Sequence, residues 1–171
     1  RVLFRSRQLL DIGALTQLFA LARAGLLYLG VAPLVLGVAV AVVPMQVGSK
    51  SLAFARLAAG GFWLWLFGAV LAVYSVLLNG GPGGGNARFV DLFTLSMLLL
   101  LIGLLAPALS VVATVLTSRA PGMNLRRVPY FTWSALVSGL MLLVSLPVLG
   151  GQLVVLDRKS TRLNSSHSQQ S

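Results

Sequence analysis

The chain has 171 residues, of which 57% are hydrophobic and 9% are charged. Ordinary soluble domains carry about 25% charged residues, so this composition excludes a typical water-soluble fold. The chain contains no cysteine, which excludes a disulfide scaffold and thiolate metal sites. The net charge of +10 does not predict a nucleic-acid partner, because lysine and arginine are expected beside membrane spans.

Four long uncharged segments dominate the sequence. A helix needs about 20 mostly apolar residues to cross the hydrocarbon core of a bilayer, and these segments are apolar on all faces, without amphipathic periodicity. In chain order, the uncharged runs cover residues 26–43, 60–78, 92–118 and 128–156. We therefore predict an all-α integral membrane protein with four transmembrane helices, at about 22–43, 60–78, 92–118 and 128–156.

The connections between these spans differ in charge. Segments 44–59 and 119–127 carry five basic residues, whereas the glycine-rich segment 79–91 carries Arg88 balanced by Asp91. Cytoplasmic loops hold the excess of lysine and arginine. We therefore predict that segments 44–59 and 119–127 are cytoplasmic and that segment 79–91 is on the other side of the membrane.

The spans themselves contain almost no reactive side chains, since none carries Asp, Glu, Lys or His. Ionisable residues inside a membrane are the usual markers of proton relays, ion paths and metal sites, so a transporter core is disfavoured. Methionine is a haem ligand in some proteins, but Met97 and Met141 are predicted to be core or lipid-facing residues. A non-catalytic membrane protein that acts in assembly or interaction remains an open alternative.

Both ends of the chain differ in character from the spans. Residues 1–7 and the polar tail 157–171 resemble translated sequencing-adapter read-through, which is set aside before the fold is considered. An ordinary disordered tail is the alternative for 157–171. Under the first interpretation the membrane domain is residues 8–156, and the single histidine, His167, lies outside it.

Five short motifs stand out along the chain: RAPGM at 119–123, VP at 128–129, WS at 133–134, LVSLPVL at 143–149 and LAFARL at 52–57. They resemble subunit I of the haem–copper terminal oxidases (the cytochrome c oxidase family). Residues 90–156 are similar to the fourth and fifth helices of that family, and residues 43–63 are similar to its second-to-third-helix connection. The resemblance implies a fragment of a larger twelve-helix-type bundle, covering about helices two to five.

The resemblance also identifies positions where this chain departs from the family. The second helix of the family carries a histidine that binds the low-spin haem, eleven residues before a proline; counting back from Pro33 gives Ala22. Many members carry an aspartate at the mouth of a proton channel in the following loop, and Ser51 occupies that position. An alanine methyl has no lone pair to donate to iron, and a serine hydroxyl does not carry the charge of a carboxylate.

Three further positions differ in the same way. The asparagines that usually follow the loop arginine correspond to Ala58 and Ala59, and a histidine common in the fourth helix corresponds to Leu98. The copper-binding histidines and remaining haem ligands belong to later helices of the family. We therefore predict no catalytic, cofactor-binding or metal-binding residue in this chain.

The resemblance finally implies what the whole protein does. The parent would take electrons from cytochrome c or a quinol, reduce dioxygen at a haem–copper centre and couple this reaction to proton translocation. Haem and copper are cofactors of the parent, and this segment is scaffold. The implied partners are the lipid bilayer, the remaining subunit I helices and other oxidase subunits, in a bacterial plasma membrane.

Overall fold

The computed structural model of the chain describes residues 19, 22, 23, 25–78, 80, 81 and 87–168, and within the last range the side chains of 88–155. The expected foreign segment at residues 1–7 lies outside the described residues, as does part of the glycine-rich connection. The backbone of residues 157–168 is described and is helical.

All the regular secondary structure of the described residues is helical. A π-helix at Gly25–Val31 leads into α1 (Ala32–Val47). Helix α2 is Ala55–Leu77, α3 is Ala87–Thr117 and α4 is Tyr130–Ser168, with a short 3-10 helix, Leu125–Arg127, before α4. Four stretches are long and apolar enough to cross a membrane: Gly25–Val47, Ala55–Leu77, Arg88–Thr117 and Tyr130–Val155. The predicted fold class, an all-α integral membrane protein with four spans, is confirmed.

The helices extend beyond the uncharged runs that predicted them. Helix α1 continues through Pro44 to Val47 and closes on Gly48, whose φ of 70° allows the left-handed helix cap. Helix α2 begins at Ala55, ahead of the predicted residue 60, and includes Arg56. A helix ends where its backbone hydrogen bonds end and not where its hydropathy falls, so the uncharged residues 44–47 and the charged Arg56 both lie in terminal helical turns.

Helix α3 is the centre of the bundle and packs against the other three helices. Within the membrane-spanning windows, 56% of α3 is buried, against 28% for α2 and 17% each for α1 and α4. Valine and leucine side chains fill the space around α3, including Val43, Val111 and Leu136 near one end. This central position makes α3 the element that orients the others.

Glycines allow α2 and α3 to approach closely. A Cβ added at Gly103 would lie 2.5 Å from the backbone nitrogen of Trp65, and one at Gly61 would lie 2.6 Å from the Cβ of Ala106. Gly68 meets the backbone nitrogen of Leu100 in the same way, at 2.8 Å. Small residues at such crossings are typical of membrane helices, whose association depends on close van der Waals packing.

Candidate functional site

The two connections predicted to be cytoplasmic meet at one end of the bundle, where α1 and α3 end and α2 and α4 begin. The backbone N–H of Ala120 donates to the carbonyl of Val47 at 3.1 Å, so the connections are hydrogen-bonded to each other. A Cβ added at Gly48 would lie 3.0 Å from that of Ala120. We call this region, residues 46–54 and 118–133, the loop end of the bundle.

Hydroxyl groups on α3 hold the first connection in place. The backbone N–H of Ala53 donates to Thr114 Oγ1 at 2.9 Å, and this hydroxyl donates to the carbonyl of Ser110 at 2.6 Å. Ser110 Oγ in turn donates to the carbonyl of Ala106 at 2.9 Å. Thr114 and Ser110 are fully buried. Because a buried polar group without a partner is costly, these hydroxyls and the Ala53 N–H restrict each other to one arrangement.

Phe54 has an unusual backbone at the start of α2. Its φ of 54° and ψ of 44° place it in the left-handed helical region, where a bulky residue is strained by about 1–3 kcal/mol. Its carbonyl accepts hydrogen bonds from the N–H groups of Leu57 and Ala58, at 2.9 and 3.1 Å. The strained residue therefore reverses the chain and caps α2 in a single step.

A second pair of polar side chains links α1 to α4. Thr132 Oγ1 donates to Gln46 Oε1 at 2.7 Å, and Thr132 is fully buried. The indole N–H of Trp133 donates to the carbonyl of Leu125 at 2.9 Å, which ties the start of α4 to the preceding connection. The loop end is thus joined by hydrogen bonds across α1, α3 and α4.

Ser51 lies exposed in this hydrogen-bonded connection. Ser49 Oγ donates to the carbonyl of Ser51 at 2.6 Å, so the local backbone is held while the Ser51 side chain faces outward. A hydroxyl at this position hydrogen-bonds water but is neutral at ordinary pH, because serine lacks an acidic group. It does not offer the charged proton acceptor that the resemblance implies for position 51.

Ala22 is an exposed helical residue next to the exposed Arg23. The π-helix Gly25–Val31 lies between Ala22 and Pro33, and it has more residues per turn than an α-helix. Positions 22 and 33, which an uninterrupted α-helix would place on one face, are therefore rotated apart.

The carbonyl of Tyr28 within the π-helix accepts the indole N–H of Trp65 at 3.0 Å. In the π-helical pattern this carbonyl would pair with the N–H of residue 33, which proline lacks.

The other positions singled out for ligands are packed as ordinary helix residues. Met97 is 7% exposed and packs with Ala72 and Leu100, whereas Met141 is 69% exposed on the outer face of α4. Leu98 is half-buried on α3. Among the residues that the structure describes, no three His, Cys, Asp or Glu side chains are grouped to hold a metal ion. Neither Ala22 nor Leu98 offers an atom that ligates iron.

An apolar groove runs between α1, α2 and α3. Its volume is about 410 Å³, and the residues that line it include Gly37 on α1, Ala55 and Ala59 on α2, and Pro107 on α3. Trp65 lines the groove farther along α2, where its indole nitrogen bonds to Tyr28. Sequence reasoning missed this groove as well as the Thr114 and Thr132 bonds. For Thr114, the only signal was a pair of hydroxyl residues four positions apart, Ser110 and Thr114, in an otherwise apolar span.

Comparison with known proteins identifies the chain's relatives. Residues 14–168 match the family described as cytochrome c and quinol oxidase polypeptide I. The chain is 34% identical to the probable cytochrome c oxidase subunit 1-beta of Nocardia farcinica, in an alignment 167 positions long that covers 87% of this chain. It is also 34% identical to cytochrome c oxidase subunit 1 of Bacillus subtilis, in an alignment 146 positions long that covers 78% of this chain.

These alignments cover only part of the relatives. The chain spans 28% of the length of the Nocardia protein and 24% of the length of the Bacillus protein. The predicted resemblance to subunit I of the haem–copper oxidases is confirmed, and so is the prediction that the chain is a segment of such a subunit. With four membrane-spanning helices and a match over residues 14–168, the chain belongs to the cytochrome c and quinol oxidase polypeptide I family.

Proposed function

We propose that the full-length protein containing this chain is a respiratory oxidase subunit that reduces dioxygen at a haem–copper centre. Electrons come from cytochrome c or a quinol, and the reaction is coupled to proton translocation. The family match over residues 14–168 carries this proposal. The relatives' descriptions as cytochrome c oxidase subunits support cytochrome c as one donor class.

Within that protein this segment acts as a scaffold. Large apolar side chains are exposed on the outer faces of α1, α2 and α4; Leu34, Phe67 and Val144 are 70%, 61% and 71% exposed. Apolar surface of this extent requires lipid or other membrane helices around it. The remaining subunit I helices, other oxidase subunits and the bilayer fill this role in the proposed assembly.

The orientation is part of the same proposal. Segments 44–59 and 119–127 face the cytoplasm of a bacterium, with the plasma membrane as the host bilayer. Lys50 and Arg127 are exposed at the loop end and Arg56 in the adjoining first turn of α2, as expected for basic residues on the cytoplasmic side. The bacterial origin of the relatives supports the choice of membrane.

The departures at Ala22 and Ser51 favour a second candidate. In that version the parent keeps the oxidase fold but has lost the low-spin haem and one proton entry group. In a stricter version it is a non-catalytic membrane protein that acts in assembly. The alanine at the expected haem-ligand position of the described chain is the observation that supports these two versions.

The test is a spectrum and an oxygen-uptake assay on the purified full-length protein with its associated subunits. We expect a haem that binds carbon monoxide, together with oxygen uptake from reduced cytochrome c or a quinol. Haem without a low-spin signal supports the divergent oxidase. A protein with neither haem nor oxygen uptake contradicts the proposal and leaves the assembly protein.

A further inference from the structure

We propose that Trp65 and Pro33 together set the helical register of the first span, with Trp65 as a positioning residue for the turn that precedes it. The indole N–H of Trp65 holds Gly25–Val31 in the π-helical form by bonding to the carbonyl of Tyr28. Without that bond the segment becomes α-helical, and the residues ahead of it rotate to another face. This inference concerns the first span alone and does not depend on the proposed oxidase activity.

Proline alone does not account for the π-helix. Pro44, Pro107 and Pro147 lie inside α-helices, although each of them also removes a backbone N–H from its span. Pro33 instead lies two residues after the end of a π-helix, in which each carbonyl pairs with the fifth residue along the chain and not the fourth. A contact that is particular to Pro33 and its neighbours must therefore favour the π-helical form.

The two helical forms leave different carbonyls without a backbone partner. In the α-helical form, Pro33 would leave the carbonyl of Leu29 unpaired, and its ring would crowd that oxygen. In the π-helical form the unpaired carbonyl is that of Tyr28, and Trp65 donates to it at 3.0 Å. Because an unpaired carbonyl in hydrocarbon is costly, the indole bond selects the π-helical form.

Trp65 is a fixed donor, because its own backbone is held against α3. A Cβ added at Gly103 would lie 2.5 Å from the backbone nitrogen of Trp65, so α2 has no space to move at this point. The Trp65 side chain also packs against two buried clusters, one around Leu104 and one around Leu100. The indole therefore stays in place, and the first span adjusts its register to it.

Conversion to an α-helix would move the residues that precede the π-helix. A π-helical turn holds about one more residue than an α-helical turn, so conversion rotates the preceding residues by about 100° and lengthens the span by about 1.5 Å. At a Cα radius of about 2.3 Å, this rotation moves the Cα of Arg23 by about 3.5 Å. Helix α1 itself stays in place, because Leu36 and Val43 are buried in the bundle. The bond to Tyr28 thus decides which face of the span Ala22 occupies.

Double electron–electron resonance on the full-length protein with its associated subunits tests the proposal. In a cysteine-free background, nitroxide labels are attached at Arg23→Cys and Leu77→Cys, two exposed positions at the end of the bundle opposite the loop end. Trp65→Phe keeps an aromatic ring and loses the N–H. We expect it to change the distance between the two labels by about 2–4 Å.

Two controls separate a change of register from a loss of packing. Trp63→Phe removes an indole from an exposed side chain on another face of α2 and should leave the distance between the labels unchanged. A label at Leu34→Cys, an exposed position after the π-helix, should keep its distance to the label at position 77 in every variant.

Pro33→Ala is the second variant. It restores the backbone N–H, so the α-helical form pairs its carbonyls without help from the indole, and the distance from position 23 to position 77 should change as in Trp65→Phe. Because Pro33→Ala removes no hydrogen bond, it remains measurable if Trp65→Phe fails to assemble. An unchanged distance in either variant, or an equal change for the Leu34→Cys label, overturns the proposal. The distances require neither haem nor oxygen uptake, so they are independent of the oxidase proposal.

Discussion

A methyl group at position 103 is expected to force α2 and α3 apart. In the structure, a Cβ at Gly103 would lie 2.5, 2.7 and 2.8 Å from the backbone nitrogen, Cα and Cβ of Trp65. Carbon atoms in packed proteins lie about 3.5–4.0 Å apart, so the methyl is about 1 Å too close. Because two of the three atoms are backbone, a change of rotamer does not relieve the overlap. The helices must separate, and Gly61 and Gly68 on the same face of contact lose their close packing as well.

The size of this effect follows from two opposing contributions. Overpacking a closely packed interface costs about 1–3 kcal/mol. Replacing glycine by alanine within a helix contributes about 1 kcal/mol of stability through lower backbone entropy in the unfolded chain. Gly60→Ala receives only the second contribution, since a Cβ there meets nothing within 4 Å. The free energy of unfolding of Gly103→Ala should therefore be about 1–3 kcal/mol lower than that of Gly60→Ala, because the helix-propensity contribution is the same in both variants.

The assay is unfolding of the full-length protein in nanodiscs of one lipid composition, followed by circular dichroism during titration with a denaturing detergent. Gly103→Ala should unfold at a lower detergent fraction than the unaltered protein, and Gly60→Ala at the same or a higher fraction. If Gly103→Ala proves at least as stable as Gly60→Ala, the close approach of α2 and α3 at this position is refuted.

Three other predictions concern the loop end and the departures from the family. Thr114→Val should leave the Ala53 N–H without its partner and lower the free energy of unfolding by about 1–3 kcal/mol. Thr117 is exposed and bonds within its own helix turn, so Thr117→Val should change the free energy of unfolding by less than about 0.5 kcal/mol. Equal losses in the two variants would argue against the hydrogen bond between Ala53 and Thr114. In a cysteine-free background, Ser51→Cys and Pro121→Cys should react with an impermeant thiol reagent from one side of the membrane and Arg88→Cys from the other; labelling of all three from one side would refute the four-span topology. If the second candidate function holds, Ala22→His in the full-length protein should add a low-spin haem absorption, and identical spectra would show that position 22 does not face a haem.

The groove shows which features of the candidate site could be predicted from the sequence and which could not. Gly37, Ala58 and Ala59 were visible as small residues, but their sequence does not show that they face one another. Gly103 is a point of close helix approach, whereas a Cβ at Gly37 meets nothing within 4 Å. The same residue type thus serves a helix contact in one place and an open groove in another.

The loop end was only partly predictable. Charge counting singled out the segments around Lys50 and Arg127, and the structure brings both segments to one end of the bundle. The hydrogen bonds of Thr114 and Thr132 and the left-handed backbone of Phe54 were not predicted, because each depends on a partner far away in the chain. Phenylalanine has no intrinsic preference for a positive φ, so no local signal marked that residue.

The sequence by itself determined that the chain has four membrane helices and which family it belongs to. Hydrocarbon excludes charge and unpaired backbone groups, so a long uncharged run has few alternatives to a spanning helix. Only the tertiary structure decided that α3 is central, that Gly61, Gly68 and Gly103 meet, and that a groove opens beside Arg56. Lipid and neighbouring helices are equally apolar, so hydropathy does not distinguish the faces that pack from those that meet the bilayer. That distinction arises from the shape of the packed helices.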